Sequence, residues 1–438
     1  MILTGLVLGV ILGAVMQRGR FCVTGMLRDI TLQHTFRPIV NLFIVIAISA
    51  VGFATLTSAG IITPEYDPFA PVAVIAGSLI FGIGIVLAGG CASGTWYRSG
   101  EGLVGSWFAL IFYAAFAAAM KYGALQPVNS TVRGWTVPLT TINATLGLSV
   151  WWFVVPFAVA TAAAAIYYTV TQRANYWAAY AIGILAVLAW PLSAATGRND
   201  GLGITTPSAN TVRALTGQGS VDWGVLLVLG ILIGSFIAAI ATGEFRVRVP
   251  DGKQAVKSVI GGAFMGIGAA LAGGCTVGNG MVQTSLFTYQ GWFALAFTFV
   301  GVTIATKLWI KPTKAAHAVT PATTTTSTAP AFATATGLLS APLAGASGSG
   351  QLTEVADRVY TLDTLGAVCP FPLVDAKATI ATLSPGDSLR IDFDCTQATQ
   401  TIPQWAKEEG LEITDFHPTG RAAWQITLTI PENATMPV

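Results

Sequence analysis

The chain has 438 residues, of which 53% are hydrophobic and only 10% are charged, and its formal net charge is +2. Because a soluble globular protein carries about 25% charged residues, this composition excludes an ordinary soluble protein and predicts a polytopic α-helical membrane protein. A net charge this close to zero gives no indication of a nucleic-acid-binding surface, and no nucleic-acid partner is expected.

Nine apolar stretches predict membrane passes, since each approaches the about 20 residues that a helix needs to cross the hydrocarbon core. The predicted passes cover residues 1–17, 38–60, 71–91, 103–120, 147–171, 176–195, 222–242, 257–275 and 286–308. The first and the eighth are short, which favours re-entrant half-helices at these two places. No positive residue precedes the first stretch, so we interpret it as a retained pass rather than a secretory signal.

The connections between these passes differ strongly in their number of basic residues. One side is predicted to hold thirteen: Arg18, Arg20, Arg28, Arg37, Arg98, Arg173, Arg246, Arg248, Lys253, Lys257, Lys307, Lys311 and Lys314. The other side holds four: Lys121, Arg133, Arg198 and Arg213. Because lysine and arginine accumulate on the cytoplasmic side of a membrane, the pattern predicts an N-terminus outside the cell and a cytoplasmic C-terminus.

An internal repeat runs through the membrane part. The segment LAGGC occurs at Leu87–Cys91 and again at Leu271–Cys275, and Gly77–Gly94 matches Gly261–Gly278 at ten of eighteen positions. By the count of passes the two copies run in opposite directions, which predicts inverted repeats with a substrate site near the middle of the bilayer. A weaker second match pairs Gly9–Gly13 with Gly230–Gly234 and Gly19–Cys22 with Gly243–Arg246, so that Arg246 would be the counterpart of Cys22.

Glycines before Leu87 and Leu271 are consistent with close helix packing. The glycines around the two cysteines continue a helix poorly, and we interpret them as chain breaks that turn backbone N–H groups towards an anion. The candidate anion-binding glycines are Gly90, Gly94, Gly274 and Gly278. Irregular backbone at this depth is tolerated only where it is buried or lines a cavity.

Five cysteines are present, and they form no Cys-x-x-Cys pair; of the three histidines, two follow the last pass. We therefore expect no metal and no cofactor. A cysteine in an apolar segment is usually a small hydrophobic side chain, but repetition in matched Gly-Gly-Cys segments favours a binding role for Cys91 and Cys275. Cys22 fits either interpretation. A neutral thiol is a weak donor with a polarisable surface, which suits a sulfur-bearing anion.

The composition changes abruptly after the last pass. Residues Ala315–Gly350 are nearly all Ala, Thr, Ser, Pro and Gly, which predicts a flexible tether. The expected organisation is a membrane domain at 1–311, a linker at 312–352 and a soluble domain at 353–438. Strands are predicted at Arg358–Leu362, Ser388–Phe393, Glu412–Phe416 and Ala423–Ile430, and helices at Leu373–Leu383 and Ala398–Glu409. This β-α-β-α-β-β order predicts a two-layer α/β sandwich whose first two strands are parallel.

These motifs resemble two known families. The membrane part is similar to the YeeE/YedE sulfur-transport family through GRFC at Gly19–Cys22 and the two GGC segments at Gly89–Cys91 and Gly273–Cys275. The C-terminal domain is similar to the TusA/YeeD sulfur-carrier family. Its matching segments are Cys369–Pro372, Asp375–Lys377 and Phe393–Thr399.

The resemblance implies uptake of thiosulfate across a bacterial cytoplasmic (inner) membrane through a constriction in which Cys22, Cys91 and Cys275 contact the ion. It also implies that the attached C-terminal domain takes up the delivered sulfur and passes it to downstream cytoplasmic acceptors. The expected partners are therefore thiosulfate, the lipid bilayer and those acceptors.

The residues of the C-terminal domain fit this chemistry. Cys369 follows the first predicted strand and Pro370 suits the first position of a helix, whose positive end favours a thiolate. Such a thiolate can attack the outer sulfur of thiosulfate and hold a persulfide, a sulfurtransferase activity. Lys377, two turns along, either neutralises the anion or lies on a solvated face. Cys395 ends the neighbouring strand and either resolves or receives the sulfur, or packs in the core.

Two alternatives remain open on the sequence alone. In one, the helices only anchor a sulfurtransferase, which the duplicated breaks disfavour. In the other, the transported ion is sulfite, sulfide or another oxyanion, because thiols and backbone donors discriminate weakly between anions. The sequence has no ATP-binding motif and no obvious ion-coupling carboxylate, which favours a passive relay drawn forward by capture of the sulfur.

Overall fold

A computed structural model describes residues 1–66, 68–312, 320–321, 351–356 and 358–432. These residues form two units, a helical one that comprises Met1–Arg248 and Gly252–Ile310, and a smaller one that contains a sheet. The predicted tether Ala315–Gly350 lies outside the described residues except for Thr320–Pro321.

The first unit is built from helices. They are α1 Leu3–Arg18, α2 Val23–Gln33, α3 Arg37–Ser58, α4 Pro71–Leu87, α5 Ala92–Gly100, α6 Val104–Tyr122, α7 Gln126–Arg133, α8 Ile142–Leu146, α9 Trp151–Gln172, α10 Trp177–Ala194, α11 Thr205–Leu215, α12 Trp223–Ala241, α13 Gly252–Ala272, a π-helix at Gly278–Gln283 and α14 Tyr289–Trp309. Nine helical stretches among the described residues are long and apolar enough to cross a membrane, which confirms the predicted number.

The short helices lie elsewhere than the sequence indicated. The eighth pass is a full helix, since α13 has 21 residues and begins at Gly252, before the predicted residue 257. The first pass continues through α2, so that the candidate span reaches Gln33. The short elements α2, α5, α11 and the π-helix each follow a break in the chain.

The equivalent helices α4 and α13 pack against each other in opposite directions. Gly77 contacts the backbone of Gly268, whereas Gly84, two turns later, contacts that of Gly261. A methyl group on Gly84 would lie 2.8 Å from the Gly261 carbonyl oxygen, so this close approach requires small residues. Since residue numbers rise along one helix as they fall along the other, the repeats are inverted as predicted.

The contacts between helices define the two repeats as α1–α6 and α10–α14. Helix α4 packs on α13 and α14, while α13 packs on α4 and α6; α1 packs on α12, while α3 packs on α10. Exchanging the two repeats in chain order reproduces this set, with α1 corresponding to α10, α2 to α11 and α3 to α12. Helix α9 lies between the repeats in the chain.

The weaker sequence match between the repeats was therefore wrong. Helices α1 and α12 are packing partners, since Gly9 contacts Leu227 and Gly230, but they are not counterparts, because in chain order α12 corresponds to α3. Each helix carries small residues for that shared contact, which produced the similar glycine spacing. The counterpart of Cys22, the N-cap residue of α2, is thus Ile204, the N-cap residue of α11, and not Arg246.

The second unit is a mixed sheet with two helices. Its elements are β1 Thr320–Pro321, β2 Gln351–Ala356, β3 Val359–Asp363, α15 Phe371–Ile380, β4 Ser388–Phe393, α16 Ala398–Glu408, β5 Glu412–Gly420 and β6 Ala423–Thr429. The strand order is β1-β2-β3-β4-β6-β5. Strands β3 and β4 are parallel, as predicted, and β2 is an additional antiparallel strand that the sequence did not reveal.

Candidate functional site

The first break separates α4 from α5. Gly89 has a φ angle of 73°, a conformation that only glycine adopts readily, and Cys91 is the N-cap residue of α5. The carbonyl of Gly89 accepts a hydrogen bond from Arg98. Within the described residues, the backbone N–H groups of Gly90 and Cys91 donate to no acceptor. The break thus leaves backbone N–H donors available to a ligand.

The second break, between α13 and the π-helix, also has capped carbonyls before it and free N–H groups after it. Gly273 has a φ angle of 81°. The preceding carbonyls are capped by side chains: Arg133 donates to Leu271 at 3.0 Å, and Asn279 donates to Ala272 at 2.9 Å. The N–H groups of Gly274 and Cys275 again have no acceptor in the described part of the chain. Two inverted breaks therefore present free N–H groups beside a cysteine, an arrangement that suits an anion.

All three cysteines of the membrane part are buried and unbridged. The Cys22 sulfur accepts hydrogen bonds from Gly25 N and from Nη2 of Arg98, both at 3.4 Å. The Cys91 sulfur lies 3.5 Å from the hydroxyl of Ser93. Because Arg98 also binds the break that precedes Cys91, the structure brings Cys22 and Cys91 into one cluster.

Tyr113 connects this cluster to the second break. Its side chain lies beside Cys275 and near Cys91, and its hydroxyl donates to Thr205 at 3.0 Å. Thr276, which follows Cys275, lies beside Cys91. Hydroxyl and thiol groups therefore connect Cys275 at the second break with Cys91 at the first.

A vestibule leads to Cys275. This cavity has a volume of about 280 Å³ and is lined by residues that include Arg198, Gly273, Gly274, Cys275 and Gly278. Nothing lies within 4 Å of the position that a side chain on Gly278 would take, so this glycine faces open space.

Basic side chains surround the vestibule. Arg198 is held by Asp200 at 2.8 Å, Arg133 approaches Gly273, and Lys121 donates to Thr206 at 2.6 Å. Three cations with two neighbouring carboxylates, those of Asp200 and Glu65, leave a net positive charge, which attracts anions into a cleft.

The candidate glycines do not all serve one purpose. Gly90 and Gly274 supply the free N–H groups, whereas Gly94 lies in α5 with the space beside it bounded by Cys91. The residues that force the breaks are Gly89 and Gly273, which the sequence placed in the motif but not in the site.

Sequence reasoning missed three buried residues of this region: Arg98, Glu101 and Tyr113. Arg98 was counted as a loop charge, although α5 continues after the break and buries it to 4% exposure. The signal was its spacing, because residues seven apart lie on the same face of a helix and Cys91 is seven residues earlier. Glu101 is a fully buried carboxylate where the sequence indicated no ion-coupling acid.

The sheet of the second unit places two more cysteines together. Since β3 and β4 are parallel, the segments that follow them leave the same edge of the sheet. Gly366 donates to Asp394 at 3.0 Å and fixes the first segment against the second. Cys369 and Cys395 form a disulfide with Cα atoms 6.0 Å apart, and Cys395 is buried.

The helix after Cys369 begins at Phe371, two residues before the predicted Leu373, and Pro370 is not its first residue as expected. Pro370 is the N-cap residue and α15 starts at Phe371, so Cys369 immediately precedes the cap. The Lys377 ammonium group lies 5.7 Å from the centre of the Trp405 ring on α16. This half-buried lysine therefore packs against α16 and is not fully solvated.

The membrane part and the C-terminal part of the chain each match a known protein family. Residues 18–304 match the family described as sulphur transport, and residues 360–430 match the TusA sulfurtransferase family. The thiosulfate transporter TsuA of Escherichia coli is 43% identical over 74% of this chain and 99% of its own length. TsuA of Spirochaeta thermophila is 34% identical over 69% of this chain and 97% of its own length.

The C-terminal unit is similar to a separate E. coli protein. TsuB, described as a candidate sulfur carrier, is 60% identical over 16% of this chain and 93% of its own length. With two inverted breaks, buried cysteines and a matching carrier domain, the chain belongs to the sulphur transport family and carries a TusA domain at its C-terminal end.

Proposed function

We propose that this protein imports thiosulfate through the line Cys275, Cys91 and Cys22, and that its C-terminal domain accepts the outer sulfur as a persulfide on Cys369. The observation that carries the proposal is the vestibule ending at Cys275, from which thiol and hydroxyl groups lead to the other two cysteines. The names of the two TsuA relatives support thiosulfate as the ion.

The residues suit a doubly charged anion that carries both oxygen and sulfur. Cations attract it into the vestibule, and the free N–H groups of the two breaks can replace water around its oxygens. Thiols offer weak donors to its polarisable outer sulfur. We place the vestibule outside the cell, since Arg133 and Arg198 belong to the connections with few basic residues, and the C-terminal domain in the cytoplasm.

Import of a dianion works against an inside-negative membrane potential. The cost is about 2.3 kcal/mol per charge for each 100 mV, hence about 4.6 kcal/mol for thiosulfate. Removal of the ion on the inside lowers its free concentration and draws uptake forward. A sulfur acceptor on the same chain, at high local concentration, suits this role.

The sulfur transfer balances with the groups at hand once the Cys369–Cys395 disulfide is reduced by a cellular dithiol. The Cys369 thiolate attacks the outer sulfur, a new S–S bond forms, and the S–S bond of thiosulfate breaks. Sulfite leaves with the electron pair, and Cys369 carries the persulfide. Cys395 is the neighbouring thiol that can act afterwards.

Uptake by sulfur-starved cells that lack other importers tests the transport function. Cells that produce the full chain are given thiosulfate, sulfate or sulfite as the sole sulfur source. We expect growth and label uptake with thiosulfate that exceed those of empty-vector cells. Equal results with and without the protein would refute transport and favour a membrane-anchored sulfurtransferase. Preferential uptake of sulfite would show that the transported ion is sulfite and not thiosulfate.

A variant of Cys369 tests the sulfur acceptor. The reduced full chain in detergent is incubated with thiosulfate, and the peptide containing Cys369 is weighed while sulfite is measured. We expect one added sulfur atom and released sulfite, both lost in Cys369→Ser because an alcohol is a far weaker nucleophile than a thiolate. Cys395→Ser is the matched control and should keep this first transfer. If Cys369→Ser acquired sulfur at the wild-type rate, Cys369 would not be the nucleophile and Cys395 would be the candidate acceptor.

A further inference from the structure

Arg98 lies on the far side of the cysteine line from the vestibule. Its guanidinium donates three hydrogen bonds, to the carbonyl of Gly89, to the sulfur of Cys22 at 3.4 Å and to the hydroxyl of Tyr97 at 3.4 Å. An arginine has five N–H donors, so two of them have no acceptor in the described residues. A buried cation with unused donors thus contacts both a cysteine and a helix break.

Glu101 lies one turn beyond Arg98 and is fully buried. Neither of its carboxylate oxygens accepts a hydrogen bond in the described part of the chain. It forms an ion pair with Nη1 of Arg20 at 3.7 Å. Arg20 is engaged more closely by Glu244, which it reaches at 2.5 Å and which also accepts a bond from Gln17.

A dianion between the cysteines needs a cation on each side. Transfer of an unpaired charge into a low-dielectric interior is very costly, and neutral thiols offset little of that cost. The vestibule supplies cations at the Cys275 end. At the Cys22 end, Arg98 is the guanidinium that touches a cysteine among the described residues.

Release of the ion requires that this cation not hold it too tightly. A conducting site must bind strongly enough to admit an ion and weakly enough to let it leave. Glu101 is a buried acid near Arg98, and Arg248 and Arg20 are the other cations that favour its ionised form, with Glu244 as a second acid. A carboxylate that lacks good hydrogen bonds of its own is suited to repel an arriving anion.

Given the proposed transport of thiosulfate, we propose that Arg98 binds the anion at the Cys22 end of the constriction and that Glu101 weakens this binding so that the ion is released. Arg98 is then a fourth ion-contacting residue, and Glu101 is a positioning residue that acts through it. The two N–H donors that Arg98 has unused are the groups that would meet the anion's oxygens.

Initial rates of thiosulfate uptake into proteoliposomes of the full chain, at several concentrations, test both roles. We expect Arg98→Gln to reduce kcat/KM at least tenfold, since a charge-assisted hydrogen bond is lost. Arg98→Lys should keep part of the activity. Glu101→Gln should lower KM and kcat together, because the ion binds more tightly and leaves more slowly, whereas Glu101→Asp should resemble the wild type. The matched control is Arg173→Gln, on an exposed helix end.

The outcomes separate this inference from the transport function. If wild-type vesicles take up no thiosulfate, the proposed function fails. If they do, and Arg98→Gln is folded and unchanged, the role of Arg98 is refuted. A Glu101→Gln variant with an unchanged or raised KM would refute the release role, and its rates decide the question even if Arg98→Gln does not fold. Size-exclusion profiles of each variant establish folding.

Discussion

In the proposed function, different side chains of the membrane part contact the anion at different points along its path. Lys121, Arg133 and Arg198 surround the entrance, and Arg98 lies beyond the cysteines. Between them the line is neutral, consisting of thiols and hydroxyls such as Tyr113. A neutral middle section avoids a deep electrostatic well, so an ion can pass from one cationic end to the other without being trapped.

Replacing the cysteines of the repeat tests this line directly. Cys91→Ala and Cys275→Ala should each reduce thiosulfate uptake by cells at least tenfold while the amount of folded protein in the membrane stays nearly constant. Alanine keeps a small apolar side chain but removes the sulfur, so a packing role alone would cost little transport. Thr161→Ala on α9, outside both repeats, is the control. Wild-type uptake in both cysteine variants would remove the proposed relay.

Lys377 offers a second test at the scale of one residue. If its charge helps to hold thiosulfate near Cys369, Lys377→Ala should slow persulfide formation several-fold, and the difference should shrink as salt screens the attraction. The control is Lys407→Ala, which removes an exposed lysine from α16. A rate equal to that of the wild type at low salt would assign Lys377 to packing against Trp405.

At the scale of elements, the two breaks are the structural device of the site. In each, a glycine with positive φ ends the helix, side chains cap the last carbonyls, and the following N–H groups stay free. Helices α4 and α13 pack in opposite directions, and Thr276, which follows the second break, lies beside Cys91 of the first. The repeat thereby doubles the number of free donors around one path.

The neighbouring glycines of the first break provide a matched pair. Gly89→Ala places a side chain at a φ of 73° and should destabilise the protein by about 1–2 kcal/mol, and reduce uptake because the break is distorted. In Gly90→Ala the new methyl group would lie 3.5 Å from Arg98, an ordinary contact, so the melting temperature should hardly change. Thermal unfolding followed by size exclusion measures the melting temperature of both variants. Equal melting temperatures would show that the positive φ is not needed.

Much of this architecture could be predicted from sequence patterns that determine local structure. Long apolar runs gave the nine spans, and the duplicated Gly-Gly-Cys gave the breaks and their inversion. What the sequence concealed depends on contacts between distant segments. Arg98 and Glu101 contact the segments that follow α1 and α12, and β2 is a strand because β3 offers it an edge. Similar glycine spacing in α1 and α12 misled the pairing of repeats because partners and counterparts can share it.

For the whole molecule, the covalent link between importer and acceptor is the feature with most consequence. The relatives TsuA and TsuB are separate proteins, each matched by one part of this chain. A single chain fixes the ratio of the two parts and, in the proposed function, raises the local concentration of the acceptor at any expression level. Transport and capture should therefore be coupled in time, since each delivered ion meets an acceptor at high local concentration.

The central claim is that thiosulfate passes through the cysteine line and yields its outer sulfur to Cys369. It is tested most directly with proteoliposomes that contain the full, reduced chain and with external thiosulfate labelled in the outer sulfur. Once the Cys369 thiols that face the outside solution are blocked by a membrane-impermeant thiol reagent, we predict label inside the vesicles above the protein-free level, with part of it bound to Cys369, and loss of both signals in Cys91→Ala. Internal label no higher than in protein-free vesicles, or unchanged labelling of vesicles that contain Cys91→Ala, would contradict the account.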